Sequence, residues 1–349
     1  MTVLNRSKIR PDVLKIMDSY LKVRDYIVDG FLKKEGKQRA EFDALWEKLM
    51  DANDRHFKGE DMHGYISKEE QYFLAKYHRY SAETGANYQQ KKFPISKDVI
   101  LEPLIANGVP VEWQIVPNAS PDKILLYLHG GGFILGSIND HRLFTVMLGR
   151  VLNIRVLSVD YRLAPEYPHP AALEDCTGVY RWLLEEGFES ENIIIGGDSA
   201  GGNLTLATLI KLRDDGISLP AGAVCFSPHT DNSGTSETLF KNAETDPFLA
   251  DIGEFWWREA RLEGVDPNDP YASPLAADLK GLPPLLIQAS KIEMLFDHST
   301  RFADKAKAAG VDVTLDTWDD MIHVFQAFPF PESKEAINNV KKFVQKLFL

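Results

Sequence analysis

Six short apolar runs constrain this 349-residue chain more than any other feature: ILLYLH (124–129), IRVLSVD (154–160), NIIIGG (192–197), AGAVCFSP (221–228), PPLLIQAS (283–290) and VTLDTW (313–318). Helical segments separate them. A strand buried on both faces reads as a continuous apolar run, and strands that alternate with helices are joined by crossovers that lay the helices on the sheet. The pattern predicts an α/β fold built on a mostly parallel sheet with helices on both faces. Just upstream, KDVILEPLIANGVPVEWQIVPN (97–118) has two extended runs around Asn107-Gly108, a strong hairpin signal, with Val111, Trp113 and Ile115 alternating.

From the start to about Gln90 the pattern is helical instead. Leu14, Met17 and Leu21 recur at helical spacing, as do Phe42, Leu45, Trp46 and Leu49. Ser67 followed by Glu70 reads as a capping box opening a further helix. These amphipathic helices need a surface to lie on. Their mixed charge, without a basic face, favours the protein's own body over a membrane.

Charge and composition exclude several classes of function. A formal net charge of −12 argues against a nucleic-acid or anionic-membrane surface, since both select for lysine and arginine. No apolar run is long enough to span a bilayer, and the first residues lack a segment of signal-peptide length, so a cytoplasmic location is expected. Cys176 and Cys225 are too few for a disulfide framework or a thiolate metal site and read as buried small hydrophobes. No HExxH or clustered Asp/His spacing suggests a metal.

In open α/β sheets ligands bind beyond the carboxyl ends of the strands, which directs attention to three loops. The first, HGGGFILG (129–136), looks like a phosphate cradle, but Ser137 stands where the Walker pattern requires lysine and no GxGxxG can be drawn through the glycines. In the second, Gly197-Asp198-Ser199-Ala200-Gly201 joins a buried strand to a helix. GxSxG alone is a weak signal, but in that position it forms a nucleophile elbow that pushes the serine hydroxyl out above the sheet. The two loops explain each other. A carbonyl attacked by Ser199 becomes a tetrahedral oxyanion, and backbone N–H donors aimed at it are worth about 3–4 kcal/mol each. Gly131 and Gly132 can bring N–H groups to that oxygen because no side chain blocks the approach, and Ala200 supplies a third. Asp198 is expected to shape the elbow.

Serine needs a base near neutral pH. Of nine histidines, His323 follows the last strand-like run and Ser199, in the chain order expected of such a site. His129 is expected to shape its loop, and His298 to lie on a helix face. The acid that orients the imidazole must come after PPLLIQAS. Glu293 is the first candidate, and Asp297, one helical turn later, is the alternative.

Two further motifs, DYRLAPEYPHPAALED (160–175) and SPLAADLKGLPPLLI (273–287), stand beside HGGGF and GDSAGGN. With them the chain, from about Val111 onward, resembles the hormone-sensitive-lipase-like carboxylesterases of the α/β-hydrolase superfamily, also called bacterial family IV esterases. The resemblance implies an α/β-hydrolase fold with an eight-stranded sheet and a catalytic domain over 93–349. It also implies a helical cap over the acyl pocket, here 1–92 with a further contribution from 231–264. No cofactor is implied, the substrates are short- to medium-chain esters, and a homodimer through an edge strand is compatible with it. Carried over, Ser199 is the nucleophile, His323 the base, and Gly131, Gly132 and Ala200 the oxyanion donors. Most members have Asp-Pro-Leu where this chain has Glu293-Met294-Leu295, and the N-terminal region is longer than the usual cap. A lactone or amide hydrolase with the same triad, and a small-molecule receptor on the same fold, are the competing readings. Receptors of that kind lack the base that His323 would supply.

Overall fold

The computed structural model describes residues 4–250 and 253–348. Four helices come first: α1 (Pro11–Leu21), α2 (Arg24–Glu35), α3 (Arg39–His56) and α4 (Lys68–Lys92). Ser67 and Glu70 form the capping box that opens α4. The hairpin follows as β1 (Ile100–Ala106) and β2 (Val109–Ile115), with Asn107 and Gly108 both at positive φ in the turn. The alternating part is β3 (Ser120–Leu128), α5 (Ile138–Leu152), β4 (Ile154–Val159), α6 (Ala171–Glu185), β5 (Ile193–Asp198), α7 (Ala200–Asp214) and β6 (Gly222–Phe226). Two shorter helices, α8 (Glu237–Lys241) and α9 (Glu254–Leu262), precede β7 (Leu285–Ser290), α10 (Phe296–Ala308), β8 (Val313–Trp318) and α11 (Pro331–Leu347).

The strands make one sheet in the order β1-β2-β4-β3-β5-β6-β7-β8. The hairpin pairs antiparallel with itself and with β4, and every other pairing is parallel. Successive strand residues point to opposite faces, so the apolar runs divide cleanly. Leu126, Leu128, Leu157, Ile193, Ile195, Cys225 and Ile287 face α6, α7 and α10. Leu125, Tyr127, Val156, Ile194, Val224 and Leu286 face Phe144 and Leu148 of α5 and Ile337, Val340 and Val344 of α11. Cys176 and Cys225 are buried and unpaired. β2 departs from the simple alternation read in the sequence, because Glu112 and Gln114 are buried as well as Val111 and Trp113. The reason is that α5 covers the second face: Arg142 grips Glu112 at 2.8 and 2.9 Å, and Thr145 donates to Gln114 at 2.6 Å.

The N-terminal helices lie on the sheet domain. Phe31, Phe42 and Tyr77 knit α2, α3 and α4 together, while Leu49, Leu74, Phe255 and Trp256 pack α3, α4 and α9 over Ile134 and Ala164. Helix α1 seats differently from its expected stripe. Leu14 packs as expected, but Leu21 is exposed and Val13 is fully buried, joined by Ile9 just before the helix, against Met321, Ile322 and Phe325, because the surface available to the helix is the loop after β8. Among the described residues no helix is long and apolar enough to cross a membrane.

Val13 is fully buried in that contact, so Val13→Ala is expected to destabilise the protein by about 1–3 kcal/mol through the cavity it leaves. Urea unfolding should show the midpoint falling at an unchanged slope.

Candidate active site

The sharp turn between β5 and α7 holds Ser199 at φ 52°, ψ −114°, a conformation that carries about 1–3 kcal/mol of strain for a residue with a side chain. The surroundings impose it. Ser199 donates its N–H to Phe226 O at 2.8 Å, and its carbonyl accepts from His229 N–H at 3.1 Å and Asn203 N–H at 3.1 Å. A methyl group on Gly201 would sit 1.9 Å from Leu128 O, and one on Gly197 would sit 2.5 Å from the same oxygen. The turn can therefore lie against β3 only with glycine at both places. Ala200 opens α7, and the N–H groups of a helix's first turn lack acceptors within the helix.

The glycine loop after β3 is held to this turn by Asp198. Its Oδ1 accepts from Gly130 N–H at 3.0 Å and from the Tyr127 hydroxyl at 2.6 Å. Its Oδ2 faces His141 Nε2 at 3.4 Å, while His141 Nδ1 bonds to Asp140. Burial alone disfavours the charges, but the attraction between the two carboxylates and His141 prevails. His141 is raised well above the usual 6.5 and Asp198 stays below the usual carboxylate value. His129 stacks on Tyr161 at 4.2 Å, and Tyr161 donates to His129 O at 2.6 Å, so His129 does shape its loop. Gly132, at φ 59°, lies under the Trp257 ring, where a Cβ would stand 1.8 Å from a ring carbon. Among the described residues, neither Gly131 nor Gly132 donates its N–H to a protein acceptor.

The third loop brings His323 and Glu293 together. His323 Nδ1 and Glu293 Oε2 are 3.0 Å apart, with Glu293 fully buried and its Oε1 accepting from Ser290 N–H at 3.3 Å. Ser290 Oγ donates to Met321 O at 2.6 Å, and Val324 N–H reaches Ser227 Oγ at 3.3 Å, so the loop is pinned on both sides of the histidine. Burial pulls the His323 pKa down, but its hydrogen bond to Glu293 and that carboxylate's charge raise it above 6.5 overall. Burial also raises Glu293, with His323 opposing. His323 Nε2 is buried without a protein partner. Asp297 is engaged elsewhere: it bonds Ser236, accepts from Glu237 N–H at 2.8 Å and from Thr238 Oγ1 at 2.9 Å, and so caps α8. His298 is not on an outer helix face but fully buried, where its Nδ1 accepts from Thr230 N–H at 3.0 Å.

Ser199, Ala200 and Gly132 line a pocket of about 550 Å³ of atom-free space, part of it continuous with solvent. Its other walls are Leu239, Leu249, Met294 and Leu295 on the apolar side and His229, Asn232, Arg258 and Arg261 on the polar side. None of these polar residues stood out in the sequence, because none belongs to a motif. Among the described residues no cluster of side chains could hold a metal ion.

A family model described as the alpha/beta hydrolase fold matches residues 125–327, more than half of the chain. An esterase of Acinetobacter venetianus is 38% identical over 260 residues, covering 74% of this chain and 86% of that one. An acetyl-hydrolase of Streptomyces hygroscopicus is 42% identical over 238 residues, covering 67% of this chain and 79% of that one. The crystal structure of an esterase from the bacterial hormone-sensitive lipase family aligns with TM-score 0.75 at 40% identity, over 87% of this chain and 98% of the other. The chain belongs to the α/β-hydrolase family, in its hormone-sensitive-lipase-like branch.

Two glycine substitutions of opposite sign test the geometry of the turn. Gly201→Ala drives a methyl group into backbone and is expected to lose more than about 3 kcal/mol, the upper end for overpacking. Gly85→Ala, exposed in α4 with no atom within 4 Å of the new methyl, is expected to gain about 0.5–1 kcal/mol. Thermal melts of both variants check the contrast.

Proposed function

We propose that the protein is a serine carboxylesterase working through an acyl-enzyme, with Ser199 as nucleophile, His323 as general base and Glu293 as the orienting acid. The observation that carries the reading is the strained Ser199, on a turn held against a glycine loop in which, among the described residues, neither the Gly131 nor the Gly132 N–H has a protein acceptor. His323 removes the serine proton as Oγ attacks the ester carbonyl, and Glu293 holds Nδ1–H so that Nε2 is the basic nitrogen. The carbonyl oxygen, now negative, takes hydrogen bonds from Gly131, Gly132 and Ala200 N–H. His323 then protonates the departing alcohol, and water repeats the sequence to release the acid.

The 1–92 helices and the 231–264 segment serve as the cap in this reading. The support is the pocket wall itself, which takes Leu239, Leu249 and Trp257 from that segment, while α3 and α4 pack against α9. The apolar lining of Leu239, Leu249, Met294 and Leu295 suits short to medium acyl chains. A receptor without turnover is disfavoured by the His323–Glu293 bond, a pairing that binding alone does not need. Lactones and amides share the first chemical step, and an amide asks more of leaving-group protonation.

Hydrolysis of p-nitrophenyl esters with two to sixteen acyl carbons is expected to peak at short chains. Ser199→Ala should lower kcat on the order of 10⁶-fold. A folded wild type that turns over no ester overturns the proposal. Because neutral His323 is the active form and Glu293 raises its pKa, kcat/KM of the wild type is expected to fall with a midpoint above pH 6.5. Glu293→Gln removes the charge that raises it, so the residual activity, lower on the order of 10⁴-fold, should hold to more acidic pH.

A further inference from the structure

The pocket beside Ser199 is lined by two arginines and no carboxylate. Arg261 is buried to 4% exposure, yet no carboxylate oxygen lies within 4.0 Å of it or of Arg258 among the described residues. Its partners are all neutral: Asn232 Oδ1 at 3.1 Å, Asn203 Oδ1 at 3.0 Å, Ala272 O at 3.0 Å and the Phe133 ring, 3.4 Å from the guanidinium carbon. Those bonds use three of the five N–H donors of a guanidinium. Arg258 is freer still, with a single 3.5 Å contact from Nη1 to Asn232 O.

The nearby acids are committed elsewhere, including Asp269, whose charge favours the Arg261 cation from beyond contact distance but whose Oδ1 accepts from Tyr271 and Ala272 N–H at 2.9 and 3.1 Å. Asp231 pairs with Arg301 at 2.8 Å, Glu293 with His323, and Glu259 with Gly64 N–H at 3.0 Å. Burial brings the Arg261 pKa down to about 9, which leaves it charged at neutral pH. Burial, His298 and the two arginines push His229, on the same wall, well below 6.5, so it stays neutral. An unpaired cation kept out of water is costly, and removing one partner of a buried pair is more so; natural sites compensate with an anion.

We infer that the preferred substrates are esters carrying a carboxylate, which the Arg258 and Arg261 side of the pocket binds while Leu239, Leu249, Met294 and Leu295 take the apolar part. This rests on the esterase reading above and narrows its substrate class. The guanidinium fork matches a carboxylate bidentately, and a neutral acyl chain leaves both arginines without an anionic partner.

The test compares three aliphatic esters in a pH-stat assay with the full chain: ethyl pentanoate, monoethyl glutarate, whose charge lies on the acyl side, and 4-acetoxybutanoate, whose charge lies on the alcohol side. At least one anionic ester is expected to exceed the neutral one in kcat/KM, and which one does so assigns the cationic wall to the acyl or the alcohol half. Arg258→Gln should lower that anionic-to-neutral ratio by about tenfold or more, the effect of losing one charge-assisted hydrogen bond, whereas Arg258→Lys should keep most of it. Added salt should lower the ratio in the wild type. Hydrolysis of ethyl pentanoate with no preference for either anionic ester, or a ratio unchanged in a folded Arg258→Gln variant, overturns the inference and leaves the esterase reading standing. No hydrolysis of any of the three by folded wild type removes both.

Discussion

One carboxylate organises the site. Asp198 is the last residue of β5, and its side chain reaches sideways to the end of β3, where it takes the Tyr127 hydroxyl and the Gly130 N–H. Two loops that are 68 residues apart in the chain are thereby held in one relative position. The strained serine sits immediately after this carboxylate, and Gly131 and Gly132, whose N–H groups have no acceptor among the described residues, sit immediately after its donor Gly130. Its charge is balanced by His141, which in turn is held by Asp140. A buried ionic group of this kind tolerates little movement, since each member displaced leaves the others uncompensated in a poorly polarisable interior.

The helical region is fastened to the same loops from the other side. Arg79 of α4 donates to Ile134 O and Ala164 O, both at 2.7 Å, and forks onto Glu166 at 2.9 and 2.7 Å. A single side chain thus joins the N-terminal helices to the glycine loop and to the segment after β4. Behind it, His78 packs among Trp46, Trp256 and Trp257, where burial lowers its pKa to about 4 and keeps it neutral. Trp257 presses on Gly132, so the packing of α4 and α9 reaches the glycine loop through one aromatic ring.

The electrostatic character of the pocket runs against that of the whole molecule. The chain carries a formal charge of −12, yet the wall beside Ser199 presents two guanidinium groups and no acid. Charges spread over a surface are screened by salt, whereas charges in a half-enclosed pocket act on whatever enters it. Net charge read from composition therefore speaks to solubility and to broad classes of partner. It says nothing about the local field at the serine.

Much of the fold was legible in the sequence because burial on both faces writes itself as uninterrupted apolar runs. The strand-to-helix position of GDSAGG likewise marked Ser199, since only glycine tolerates the contacts around that turn. The chain order of strands could not be turned into neighbours in the sheet by pattern alone, nor could the burial of Glu112 and Gln114 in β2, which depends on α5 arriving with Arg142. Periodicity put the buried side of α1 on Leu14, Met17 and Leu21; packing against the His323 loop kept Leu14, left Leu21 exposed and buried Val13. The sequence left Glu293 and Asp297 as alternatives one helical turn apart. Tertiary structure separated them by direction, sending one carboxylate to His323 and the other to the start of α8. Arg258 and Arg261 are ordinary residues on an amphipathic helix until α9 is laid across the pocket. The sequence by itself determined the strands, the turn and the candidates for the chemistry, because those depend on local shape and residue type; which candidate carboxylate meets the histidine and where the unpaired charges fall were decided only by three-dimensional packing, which brings distant side chains together out of water.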